Sequence, residues 1–87
     1  MKKAINQKFE RELHFRFAVI ITKGKKNYQL EYETRDEAHK MFKRYVNEEA
    51  DFCQLMGRKS TIGLYEKYLD EEIICRRQIT MSGLDIR

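Results

Sequence analysis

His14-Phe15-Arg16-Phe17-Ala18-Val19-Ile20-Ile21-Thr22, Lys23-Gly24-Lys25-Lys26, Asn27-Tyr28-Gln29-Leu30-Glu31-Tyr32-Glu33: the reading of this stretch decides the fold. Side chains two apart share a face of a strand. Phe15, Phe17, Val19 and Ile21 therefore fall on one side of the first run, and His14, Arg16, Ala18 and Ile20 on the other. In the second run Tyr28, Leu30 and Tyr32 oppose Gln29 and Glu31. A loop over Lys23–Lys26, where Gly24 is free to take a positive φ, sets Ile21 against Tyr28, Val19 against Leu30 and Phe17 against Tyr32. All six then share one face, and a slip of one residue scatters them. The stretch predicts a β-hairpin of defined register.

Outward from it, Thr34-Arg35-Asp36-Glu37 has the form of a capping box. The helix that follows gathers Ala38, Met41, Phe42, Tyr45, Val46, Phe52, Cys53 and Met56 in one arc, and Gly57 is placed to end it. A second hairpin is expected from Ser60 to about Tyr68 and from Glu71 to about Thr80. Ile62 and Leu64 alternate with Thr61, Gly63 and Tyr65, while Ile73, Cys75 and Ile79 alternate with Ile74, Arg76 and Gln78. The fold class is α+β: ββαββ, an antiparallel sheet of two hairpins with one long amphipathic helix on one face.

The length suits one domain over residues 1–87. Residues 1–11 read as a flexible or docking N-terminal arm, with Ala4, Ile5 and Phe9 able to dock, and residues 81–87 as a polar tail. The net charge of +4 is a modest basic excess. No stretch approaches the ~18 apolar residues of a membrane span, and the basic N-terminus lacks the apolar run of a secretion signal. The expected compartment is the cytoplasm, or a host cytoplasm, with Cys53 and Cys75 as reduced thiols.

Neither His14 nor His39 has a Ser or Cys partner that the pattern places nearby, and His14, His39, Cys53 and Cys75 lack metal-ligand spacing. Gly57-Arg58-Lys59-Ser60 ends like a phosphate loop, but a helix precedes it and a strand follows. No catalytic residue, cofactor or metal is expected, and the chain reads as no enzyme. Glu49 within the helix's apolar arc and Arg77 in strand register with Ile79 are expected to meet or to share the edge of the core.

Two readings of function follow. One helix covers one face of a sheet, so the other face should be open. Arg16, Ala18, Ile20, Tyr65, Ile74 and Arg76 would there form an apolar strip with charged margins, engaging a protein partner or a second copy of the chain. Compact α+β chains without enzyme motifs are frequent among accessory proteins of phages and mobile elements, which associates this reading with an inhibitor or adaptor. The alternative is nucleic-acid binding through Lys23, Lys25, Lys26, Arg58, Lys59, Arg76 and Arg77, with the first loop's lysines beside the last strand's arginines. Carboxylates among the basic residues of the helix's outer face argue against a helix that enters a DNA groove.

Overall fold

The computed structural model describes residues 13–82. Its elements are β1 (Phe17–Lys23), β2 (Lys26–Tyr32), α1 (Arg35–Met56), β3 (Lys59–Lys67) and β4 (Ile73–Ser82). The four antiparallel strands form one sheet in the order β2-β1-β3-β4. The fold is therefore α+β with ββαββ order. The most apolar strand, β1, lies between two partners that pair both its edges, and residues on both its faces are buried.

The register of the first hairpin follows the side-chain parity: Ile21 pairs with Tyr28, Val19 with Leu30 and Phe17 with Tyr32. Its turn is tighter than expected, because Lys23 also pairs with Lys26. Gly24 is left at the first central position with φ 59, the sign a two-residue turn requires there. In α1 the Thr34 hydroxyl accepts from the Glu37 amide at 3.2 Å, and Gly57 closes the helix at φ 65 with its N–H on the Cys53 carbonyl. The helix presses Ala38 and Phe42 onto Val19, Ile21, Ile62 and Leu64. Tyr32 and Tyr45 join hydroxyls at 3.1 Å at the margin, where burial and then Tyr45 push the Tyr32 phenol well above its ordinary pKa.

Three expectations are corrected. β1 begins at Phe17 rather than His14, and Phe15 is exposed, because the His14 and Phe15 amides bond to the Glu31 carboxylate instead of to a neighbouring strand. β4 starts later and runs on through Ser82, so Met81, assigned to a polar tail, packs against the core. Between Leu64 and Tyr65 the β3–β4 register shifts: Leu64 pairs with Arg77 but Tyr65 with Cys75, leaving Arg76 as the extra residue. Beyond this bulge the parity of β4 inverts. Ile74 pairs with Glu66 on the helix side, and Ile73 and Cys75 turn to the reverse.

The reverse face is not bare. Ala18, Ile20 and Tyr65 are 0, 3 and 2 % exposed there, and Ile74, the fourth apolar member of the expected strip, is 6 % exposed on the helix side instead. The chain entering β1 doubles back over the sheet: the Phe15 amide donates to Glu31 of β2 at 3.0 Å, and Lys67 of β3 donates to the Leu13 carbonyl at 2.6 Å. Leu13 itself is buried. Ile5 and Phe9, which the sequence offers as further cover, lie outside the described residues. The Tyr65 ring lies over Gly63, where an added Cβ would stand 2.5 Å from Cε1 of the ring. Gly63→Ala must displace that buried ring, so we expect it to cost about 1–3 kcal/mol in urea unfolding. An effect near zero would mean the ring is free to swing away.

Candidate nucleic-acid interface

Lys23 ends β1 beside Ser60 at the start of β3, so the β1–β2 turn and the α1–β3 connection lie at the same end of the sheet. They bring Lys23, Lys25, Lys26, Arg58 and Lys59 around one open cleft of about 680 Å³, with Tyr28 and Phe52 in its walls. No carboxylate is among the described residues that line it. Arg58 and Lys59 follow directly on the C-terminus of α1, whose partial negative charge favours cations there.

The five cations do not play one part. Lys23 is committed inward: its Nζ stands 2.9 Å from Glu49 Oε2 and 4.7 Å from the centre of the Phe52 ring. Glu49 is buried, and its other oxygen accepts from the Ser60 hydroxyl at 2.9 Å. The buried carboxylate thus has both a counter-charge and a donor, as burial demands. Of the two arrangements expected for Glu49 and Arg77, the direct meeting does not occur: the partner is Lys23. Arg77 is exposed and lies over the Phe42 ring at 5.8 Å. Lys25, Lys26, Arg58 and Lys59 are exposed, and none makes an ion pair with a described residue. Four exposed cations without an ion pair to a described residue therefore surround the cleft, with Tyr28 44 % exposed at its wall.

The remaining nominated residues separate from this site. The first loop's lysines lie beside Arg58 and Lys59, not beside the arginines of β4. Arg76 donates to the Tyr68 hydroxyl at 2.9 Å and approaches Glu66, at the other end of β3. Of the strip assigned to a protein partner, only Arg16 and Arg76 are exposed. Its four apolar members cannot touch a partner without the domain opening.

The tyrosine on the reverse face is held neutral. Burial, and then the neighbouring Cys75, raise the Tyr65 phenol well above its ordinary pKa. Among the described residues no cluster of His, Cys, Asp or Glu is arranged to hold a metal ion, and no helix is long and apolar enough to cross a membrane. Two contributors escaped the sequence reading. Phe52 was assigned to the core but forms a cleft wall, and Glu66 was not singled out although it continues the Ile62, Leu64 alternation as a charge in apolar register. Comparison with family models, with curated proteins and with solved structures finds no match to this chain.

Proposed function

We propose that this domain is a non-catalytic nucleic-acid-binding module, acting in the cytoplasm of its own or a host cell, whose cleft grips the phosphates of a single strand. The observation that carries this reading is the convergence of Lys25, Lys26, Arg58 and Lys59 on one cleft free of described carboxylates. Phosphate contacts by lysine and arginine supply most of non-specific affinity, through release of condensed counterions. Tyr28 adds an exposed ring on which a base stacks, an interaction open to an unpaired strand and closed to an intact duplex. Protein docking through the apolar strip of the reverse face is disfavoured by the burial of Ala18, Ile20 and Tyr65.

The test is fluorescence anisotropy of a labelled single-stranded oligonucleotide against salt. Four phosphate contacts predict roughly 50-fold weaker binding for a fourfold rise in salt, from a slope of about −0.7 per contact. A duplex of the same length should bind more weakly. Absence of binding at low salt, or affinity indifferent to salt, overturns the reading.

A further inference from the structure

We infer that Arg16, Arg35 and Arg76 form a second oxyanion site, which takes one phosphate group at the end of the sheet opposite the basic cleft. Three guanidinium groups converge there on one buried carboxylate. Arg35 Nη2 lies 3.3 Å and Arg16 Nη2 3.9 Å from Glu66 Oε2, while Arg76 Nε lies 3.7 Å from Oε1. The Glu66 side chain is 5 % exposed, and those of the arginines 50, 61 and 49 %.

Neutralising one carboxylate takes one arginine. Three leave the cluster with a charge of +2 (three cations less one anion), and like charges held this close repel unless an anion joins them. The pairs are long single contacts, not the bidentate forks of about 2.7–2.9 Å that consume a guanidinium's donors. The three arginine side chains also stay about half exposed, so they remain open to a ligand from solvent.

The groups are also held in place. Arg16 Nε donates to the Lys67 carbonyl at 3.2 Å, and Arg76 donates to the Tyr68 hydroxyl at 2.9 Å. The guanidiniums of Arg16 and Arg35 both lie 5.9 Å from the centre of the Phe17 ring. Planar donors fixed in position, with their outer edges free, suit the tetrahedral oxygens of phosphate. Glu66 acts as the internal anchor that gathers them. The ligand is a phosphate group, supplied either as the free ion or by the backbone of a strand already held in the cleft.

Side-chain NMR of the arginine Nε–H groups tests this directly. Inorganic phosphate should shift the Arg16, Arg35 and Arg76 signals saturably, with a Kd of about 1 mM, and leave Arg44 and Arg77, which belong to neither site, in place. Arg16→Gln with Arg35→Gln should weaken binding at least tenfold. Glu66→Gln should tighten it roughly tenfold, since the amide keeps the anchor's shape and an acceptor oxygen for the arginines while removing a like charge beside the ligand. A neutralising role alone predicts no saturable shift and no response to Glu66→Gln, and that result overturns the inference. An oligonucleotide that shifts the same three signals identifies a strand phosphate as the source. Shifts with inorganic phosphate alone identify the free ion. The K25E/K26E variant should leave phosphate binding here unchanged, so the two sites stand or fall separately.

Discussion

Reversing Lys25, Lys26, Arg58 and Lys59 together to glutamate is expected to weaken oligonucleotide binding by about 100-fold or more and to flatten its salt dependence. The size follows from the part these residues play: each is exposed and without an ion pair to a described residue, so its charge is available to a phosphate. The same exposure predicts little cost to the fold, within about ±0.5 kcal/mol for each substitution. Lys23 is left out deliberately, because it is the counter-charge of buried Glu49. Lys40→Glu with Lys43→Glu, on the outer face of α1, changes net charge by half as much and should alter affinity less than about threefold. If the two variants lose affinity in proportion to charge alone, binding is diffuse and the cleft is not its seat.

Phe42→Ala should cost about 3–5 kcal/mol in urea unfolding. The ring is 2 % exposed between α1 and the sheet, packed against the β1 and β3 aliphatics, and Arg77 lies over it from outside. Truncation removes the contact that ties the helix to the central strands, and the surrounding backbone is too constrained to fill the gap. A chain of 87 residues has a total stability of about 4–13 kcal/mol, so the variant should be partly unfolded at room temperature. A cost below about 1 kcal/mol would contradict the packing of α1 described above.

The first hairpin and the helix were legible because their signals are redundant. Six apolar residues of β1 and β2 agree on one register, and Thr34 and Gly57 bracket a single amphipathic period. The bulge at Arg76 left no such mark. Ile73-Ile74-Cys75 is apolar at every position, so its parity could be read either way, and no glycine flags the extra residue. The open reverse face was inferred from counting one helix against two faces. That count omits Leu13 and the His14-Phe15 pair after it, which reads as the start of a strand but bends away because the Glu31 carboxylate captures both of its amides. The misplaced partner of Glu49 has the same root. Periodicity shows that a buried charge needs a counter-charge, but Lys23, which the glycine and lysines after it mark as loop, is the last residue of β1 and shares the helix-side parity of Ile21. For the cleft, the sequence supplied the basic residues of both connections. Only the strand order, which sets β1 beside β3, shows that they meet, and that Arg76 and Arg77 stand apart.

The most direct test of the cleft is backbone amide chemical-shift mapping of the isotope-labelled domain during titration with a single-stranded oligonucleotide. We predict that the shifts concentrate in 22–28 and 57–61 and leave Ala18, Ile20 and Tyr65 unmoved. Shifts centred on those three buried residues, or none at a salt concentration where lysine–phosphate contacts are strong, would contradict it.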